Sequence, residues 1–474
     1  MNNKFYVTTP IYYVNDVPHI GHACTTVVAD ILARYHRQKG DQVFFLTGTD
    51  EHGQKIAEEA QKANLAPQDF CDQVSIRFQQ AWQLLNISHD YFIRTTDPKH
   101  KEVVAKVLQK IYDHGDIYAG KYEGLYCVGC EKFLTESDLE NDHCPLHPPE
   151  KTVSRSEKNW FFKLSKYLPK LIELIENDKT NYIFPEGKRR EVLTKLKDPE
   201  TRKRDISFTR ENVKWGIPAP WDPTQTIYVW VDALINYYSV TKFLENKTDF
   251  WPANLHLLGK EILWFHTVIW QAMLLSAGID LPKKTYTHSF YIIDGQKMSK
   301  SLGNVISPKQ LVDNFGADAS RYLIASSFPA ENDSDIGLTR LTEKYNAELA
   351  NGFGNLISRV SKLCQTSQFV YQTTDGPVTS PAVVNHFENC RVDLALVTIK
   401  EATDKLNQII NQKAPWKLEG KQLELVLKDL VAGILQIACD LKPFIPETIG
   451  KVEAIFTPGK AIEPPSKPLF PRIT

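Results

Sequence analysis

The stretch QVFFLTG, residues 42–48, carries an unbroken apolar run, Val43 to Leu46, with no polar alternation. A strand of that kind has both faces covered, the condition found inside a parallel sheet. Upstream, KFYVTTPIYY is β-rich. Between the two lies a helical pattern with apolar residues at Ala23, Val27, Val28, Ile31, Leu32 and Tyr35, and Gly40 stands where that helix would stop. Downstream, GQKIAEEAQKAN begins another helix. Strand, helix, buried strand, helix is the grammar of a doubly wound, Rossmann-like α/β domain with a parallel sheet. No GxGxxG occurs, so the dinucleotide fingerprint is missing.

At 474 residues the chain exceeds one ordinary core, and roughly two to four domains are expected. A composition of 42% apolar and 24% charged residues is that of a soluble globular protein, and a net charge of −1 argues against a generally basic nucleic-acid coat. No basic segment followed by an apolar one opens the chain, so no secretion signal is read and a cytoplasmic protein is expected. The longest apolar run, residues 262–279, is interrupted by His266, Thr267 and Gln271 and suits a buried helix rather than a membrane span. Five spans follow from the changes of pattern. Residues 1–114 are the first half of the α/β domain, and 115–221 an inserted domain with the cysteine cluster, prolines and a basic segment. Residues 222–293 resume the sheet with strand-like IYVWVDAL and LHLLG, then THSFYII; 294–340 hold a loop region; 341–474 form an α-helical bundle with a proline-punctuated tail.

Three motifs carry chemistry. HIGH, residues 19–22, follows the first strand and opens a helix, where backbone N–H groups and the helix dipole favour an anion and Gly21 allows close approach. Alone it equally suits two surface histidines around a packing glycine. DGQKMSKSLGN, residues 294–304, sets Lys297 and Lys300 in a loop of serines and glycines, which alone reads as a solvated turn. Cys127 and Cys130, then Cys144 and His147, make two hooks joined by a short loop, the spacing of a closed tetrahedral Zn²⁺ site with a structural role. His143 is the alternative ligand. The other cysteines, Cys24, Cys71, Cys364, Cys390 and Cys439, read as small buried hydrophobes.

HIGH after the first strand of an α/β domain and KMSKS after its last together resemble class I aminoacyl-tRNA synthetases. The stretches TPIYYVNDVPHIGH, LTGTDEHG, YVWVDALINY, GKEILWFH, KMSKSLGN, NLISR and KAPW resemble, in order and over nearly the whole chain, the methionyl-tRNA synthetase family. That resemblance implies a methionine–tRNA ligase taking L-methionine, ATP with Mg²⁺, and initiator and elongator tRNA(Met), with a helical anticodon-binding domain at residues 341–474. It implies ATP binding by His19, Gly21, His22, Gly259, Lys260, Glu261 and Lys300, with His19, His22, Lys297 and Lys300 catalytic. It implies a methionine site made of Ile11, Tyr13, Asp50, Trp230, Ala233, Tyr237, Ile262, Phe265 and His266, Asp50 meeting the α-amino group. An aromatic box suits a polarizable thioether. Anticodon contacts fall to Asn355, Arg359, Pro415 and Trp416, and Arg210 lies near the family's active-site arginine. The insertion leaves little room for a hydrolytic second sieve, so a side chain recognisable in one step is expected. Some relatives carry a C-terminal dimerising domain; a chain ending at Thr474 is therefore expected to be a monomer. A synthetase for cysteine or leucine, or a nonenzymatic tRNA-binding paralogue, are the rivals.

Overall fold

The structure, a computed structural model, describes residues 3–473 except 16, 130, 131, 135–138, 146, 178–181, 299–302 and 374. By contact the chain forms two compact units. The first comprises Met1–Val17, Gln42–Gln80 and His89–His288, the second Pro18–Asp41, Ala81–Ser88 and Ser289–Thr474.

The first unit is organised by a six-stranded, all-parallel sheet built from β1 (Lys4–Tyr13), β2 (Gln42–Asp50), β3 (Tyr91–Arg94), β4 (Ile183–Phe184), β5 (Leu255–Gly259) and β6 (Thr285–His288), in the spatial order β3-β2-β1-β5-β6-β4. The expected strands KFYVTTPIYY and LHLLG match β1 and β5, and the last seven residues of β2 are all buried. The chain winds outward in one direction from β1 through β2 to β3 and in the other from β5 to β6, so the order reverses between β1 and β5. In sheets of this type that reversal leaves a crevice at the strand carboxyl ends. Tyr13 and Asp50 are register partners at those ends.

One apolar cluster continues from the sheet into its covering helices, running from Tyr6, Phe44 and Leu46 through Val104, Leu108, Leu234 and Trp270 to Ala277. The inserted segment adds a four-stranded antiparallel sheet around the long pair Ile117–Cys127 and Thr152–Phe162. IYVWVDAL is not a strand throughout: the strand Asp222–Ile227 ends on its first residue, and Val229–Phe243 is a helix. Its apolar run packs inside the cluster, and burial on all sides erases the periodicity that separates strand from helix. The apolar run that follows β5 also departs from one regular helix, with a tight turn at Lys260–Ile262, a π-type turn at Phe265–Ile269 and an α-helix over Trp270–Ala277. THSFYII divides into β6 and a separate short strand, Tyr291–Ile293.

In the second unit the helix Ile20–Gln38 is held through Asp30. That carboxylate meets Arg321 at 2.6 Å and Arg34 at 2.7 Å, and accepts from the backbone and hydroxyl of Ser88 at 2.6 Å each. Burial alone would raise its pKa, but the two guanidiniums and Ser88 hold it below the usual carboxylate range. Helices Asn355–Thr366, Val392–Lys413 and Gly420–Leu441 make the bundle. The proline-rich tail is strapped to it, Asn346 exchanging hydrogen bonds with the backbone of Ile473 and Phe470 standing edge-on to Tyr345.

Candidate active site, metal centre and RNA-facing surface

Within the first unit, the carboxyl ends of β1, β2 and β5 and two helical segments bring the expected methionine residues onto neighbouring elements. Ile11 and Tyr13 lie on β1, half-buried against the core, and Asp50 ends β2 almost fully buried. Trp230, Ala233 and Tyr237 fall on one face of Val229–Phe243, at spacings of three and four. Trp230 stacks on Phe265 from the π-type turn, with ring centroids 4.2 Å apart and planes 14° from parallel. Ile262 lies half-buried one turn before His266.

His266 has a determined tautomer. Its Nδ1 lies 3.0 Å from the Ile262 carbonyl and must donate, so Nε2 accepts the Tyr237 hydroxyl at 2.8 Å. Burial pushes the imidazole pKa down to about 4, offset only in part by the Ile262 carbonyl, so the ring is neutral at pH 7. A ring held this way offers an uncharged, polarizable surface instead of an ion. Gly259 is buried at the end of β5, Lys260 is half-buried and Glu261 is exposed. A Cβ on Gly259 would come within 2.5 Å of the Glu261 carboxylate, so glycine makes room for that side chain. Arg210 is buried, donating to the Thr209 carbonyl at 2.8 Å with its guanidinium over the Tyr228 ring.

The second unit brings HIGH and the described part of the KMSKS loop together. His19 is the N-cap of Ile20–Gln38: its Nδ1 accepts from the Gly21 N–H at 3.1 Å, while His22 Nδ1 accepts from the His19 N–H at 3.3 Å. With both Nδ1 atoms engaged as acceptors, each neutral ring carries its proton on Nε2, at the opposite edge. The rings stack 3.8 Å apart, and burial followed by its neighbour His19 lowers the His22 pKa well below that of a free histidine. A Cβ on Gly21 would fall 2.9 Å from His19 Cε1 and 3.8 Å from Met298 Cε, which places the loop methionine beside HIGH. The Ile20 N–H also donates to the Ile306 carbonyl at 2.8 Å.

The loop grows from a hairpin in which Tyr291–Ile293 pairs with Gln296–Lys297 through Asp294 and Gly295, both at positive φ. An Asp-Gly pair there is the favoured chemistry for a two-residue turn. Asp335 anchors the hairpin, accepting from the N–H groups of Asp294 and Gly295 at 3.0 Å each. Across the loop, Asn304 donates to the Lys297 carbonyl at 3.3 Å. Lys297 is exposed, and Lys300 lies outside the described residues.

In the insertion, Cys127, Cys144 and His147 gather with their ligand atoms within 4.8 Å of one another, and His147 Nδ1 lies 3.5 and 3.7 Å from the two sulfurs. Burial, then Lys55 and Lys151, lower the His147 pKa, favouring the neutral ring a metal needs. A Cβ on Gly129 would strike the His147 ring at 2.3 Å, so glycine admits the imidazole. The donor set fits a zinc ion. Cys130 lies outside the described residues, and His143 directs its Nδ1 to the Asn141 carbonyl, apart from the cluster. Of the remaining cysteines, Cys439 alone is only half-buried.

On the bundle, Asn355 is exposed and Arg359 half-buried. Arg359 donates to Asn411 at 2.9 Å, a partner on the helix leading to KAPW that the sequence reading did not single out. Trp416 is 57% exposed, unusual for so large an apolar ring, whereas Pro415 is buried. Ala414 is held at φ 44°, ψ 58°, a strained left-handed conformation that turns the chain just before Pro415 and that tryptophan.

Also missed was a buried network of His52, His100, Asp232 and Ser239. The signal was present: Asp232, Asn236 and Ser239 put polar groups at i, i+4 and i+7, one stripe of a helix whose other residues through Val240 are apolar or aromatic.

A parallel sheet whose topological switch point opens toward aromatic and carboxylate side chains, in a chain that also sets HIGH against KMSKS, defines a class I aminoacyl-tRNA synthetase. The sequence family described as tRNA synthetases class I (M) matches residues 5–152 and 136–361. Methionine–tRNA ligase of Thermotoga maritima is 41% identical over 98% of this chain and 76% of its own length, and that of Synechocystis sp. 42% identical over 94% and 88%. A structure of Mycobacterium tuberculosis methionyl-tRNA synthetase in complex with methionyl-adenylate superposes with a TM-score of 0.90 at 32% identity, covering 99% of this chain and all of that one. The free form of the same protein gives 0.83 at 29% identity, covering 100% and 99%. The chain belongs to the methionyl-tRNA synthetases, enzymes that ligate methionine to tRNA.

Proposed function

We propose a division of labour for that reaction among the residues described. The methionine carboxylate attacks the α-phosphate of ATP, supplied with Mg²⁺, giving methionyl-adenylate and pyrophosphate. A ribose hydroxyl at the tRNA 3′ end then takes the methionyl group. Asp50 meets the substrate ammonium, while Ile11, Tyr13, Trp230, Ala233, Tyr237, Ile262, Phe265 and His266 enclose the thioether. His19 and His22 donate to phosphate oxygens through Nε2, Gly21 leaves room for them, and Lys297 and Lys300 offset charge on the leaving pyrophosphate. Gly259, Lys260 and Glu261 meet the adenosine. Catalysis by positioning and preorganised charge needs no covalent nucleophile. The observation that carries methionine as substrate is the Trp230–Phe265 stack beside a Tyr237 hydroxyl bonded to a neutral His266.

In this reading residues 1–114 and 222–293 are the catalytic halves, 115–221 the insertion, 294–340 the KMSKS and stem-contact region and 341–474 the anticodon-binding domain. Asn355, Arg359 and Trp416 read bases of initiator and elongator tRNA(Met), with Pro415 setting the angle of the tryptophan. One Zn²⁺ on Cys127, Cys130, Cys144 and His147 rigidifies the insertion; the three described ligands support it, and metal analysis of the purified protein checks it. A monomer in the cytoplasm belongs to the same proposal, sedimentation testing the first part. The deciding assay is pyrophosphate exchange with ATP. Exchange driven by methionine is expected. Exchange driven by cysteine or leucine instead, or by no amino acid, would overturn the assignment in favour of a different synthetase or a nonenzymatic tRNA-binding protein.

A further inference from the structure

Asp50 can read an ammonium group only if its carboxylate is held at a fixed place relative to the helix that carries Trp230, Ala233 and Tyr237. The residues beside it are locked. Glu51 is gripped by Arg94 in a bidentate pair at 2.7 and 2.9 Å and donates its N–H to the Thr95 hydroxyl. His52 is 2% exposed and donates through Nδ1 to Asp232 at 2.5 Å. Its other nitrogen is buried with no hydrogen-bond partner among the described residues, so Asp232 is the anchor the imidazole has.

Asp232 lies in the first turn of Val229–Phe243, between Trp230 and Ala233 in sequence, and is 1% exposed. Its second oxygen accepts from His100 Nε2 at 2.8 Å, and His100 Nδ1 reaches the Ser239 hydroxyl at 2.8 Å. One carboxylate thus joins three segments far apart in sequence: the end of β2, the helix Pro98–Asp113 and the pocket helix. A buried carboxylate between two imidazoles is costly to desolvate, and hydrophobic residues would fill the space at lower cost. Its place in the first turn of the helix that carries Trp230, Ala233 and Tyr237 suits a geometric role.

We infer that Asp232 is a positioning residue for methionine activation, fixing Asp50 against the pocket helix through His52. This deepens the reading of Asp50 as the ammonium-binding group and rests on it. Asp232 touches no substrate in this account; it sets the distance between the group that reads the amine and the rings that read the thioether. Its loss should therefore weaken recognition of the amino group specifically and leave the phosphate chemistry intact.

The test compares binding of L-methionine with binding of its deaminated analogue, which keeps the thioether and the carboxylate, by calorimetry on the full chain. Exchange kinetics are measured alongside. In D232N the methionine KM should rise about tenfold with kcat changed less than about threefold, while affinity for the deaminated analogue stays at the wild-type value. His52→Leu removes the tether outright and decides the matter if D232N does not fold. His100→Gln, whose amide can still donate to Asp232 while the link to Ser239 is lost, should lower thermal stability yet keep the preference for the amine. Unchanged preference in both D232N and His52→Leu, or an equal loss of both ligands, would overturn the inference. Asp50→Ala separates the two claims: if it too leaves the preference intact, the Asp50 reading fails, and if it abolishes the preference while D232N and His52→Leu do not, only the positioning role fails.

Discussion

The residues proposed to meet methionine, in the first unit, and those of HIGH and the described part of the KMSKS loop, in the second, are held in different ways. Around Asp50 and Tyr237 buried polar side chains are bonded to partners distant in sequence: Glu51 to Arg94, His52 to Asp232, His266 to Tyr237. At HIGH the two histidines bond within their own helix turn, with one long-range backbone bond from Ile20 to Ile306, and the hairpin below KMSKS rests on one carboxylate at its base. Gln296 and Lys297 are exposed where β2 is buried. Discrimination between amino acids needs a pocket that does not give, because a one-methylene difference yields only modest binding selectivity unless the walls are fixed. A group that follows charge from ground state to transition state needs reach instead, and a hairpin anchored at its base supplies it.

The largest effect that would break this contrast lies on the rigid side. Asp50→Ala should lower kcat/KM for methionine in pyrophosphate exchange by about a thousandfold, because it leaves an ammonium desolvated without its partner. A loss under tenfold would mean that another group reads the amine. Lys300→Ala comes next: adenylate formation should slow by about a hundredfold, the scale of one preorganised charge lost from a transition state, while methionine affinity by calorimetry stays nearly constant. Equal losses in rate and in methionine binding would erase the distinction between the two regions.

Sequence legibility followed the same division. The sheet was readable because β1 is rich in β-formers and β2 and β5 carry short apolar runs, and HIGH, KMSKS and the cysteine hooks because they are patterns of spacing along the chain. What escaped was set by burial and by partners far apart in sequence. IYVWVDAL passed for a strand because, Asp232 apart, it is an unbroken apolar and aromatic run with no helical period. The bond between His52 and Asp232 spans 180 residues, and Asn411 as partner of Arg359 spans 52, so neither pair has a local signature. The grouping of Pro18–Asp41 with Ser289–Thr474 is likewise invisible in a βαβ pattern, which assigns a helix to the strands it connects.

Protonation gives a smaller effect that sharpens the rigid side. His266 titrates near 6.5 when unfolded and about 4 when folded. The folded state therefore binds fewer protons: the stability contribution is fully present above the unfolded value and drains away as pH falls from about 6.5 toward the folded value. In that window His266 should contribute a slope of about 1.4 kcal/mol per pH unit. Chemical denaturation of the wild type and of His266→Gln between neutral and acid pH should show the slope reduced in the variant. An identical slope would mean that His266 is protonated in the folded protein, and the neutral wall of the pocket would be lost with it.

The smallest expected effect concerns the base of the hairpin. Asp335 accepts the N–H groups of Asp294, Gly295 and, at 3.3 Å, Gly337, while Arg340 stands 3.7 Å away. Partial desolvation opposes ionisation, but those backbone donors outweigh it and hold the carboxylate below its usual range. The anchor is thus intact above the unfolded pKa and weakens only as pH falls through the folded one, far below working conditions. Asp335→Asn keeps the shape and removes the charge and one pair of acceptor sites. If the carboxylate only tethers a loop that acts on phosphates, the KM for ATP should rise about threefold to fivefold, the scale of one weakened charge-assisted bond, with methionine KM unchanged. A change in methionine KM of the same size would show that the hairpin is coupled to amino-acid recognition, and the contrast between a fixed pocket and a tethered loop would have to give way to a single cooperative site.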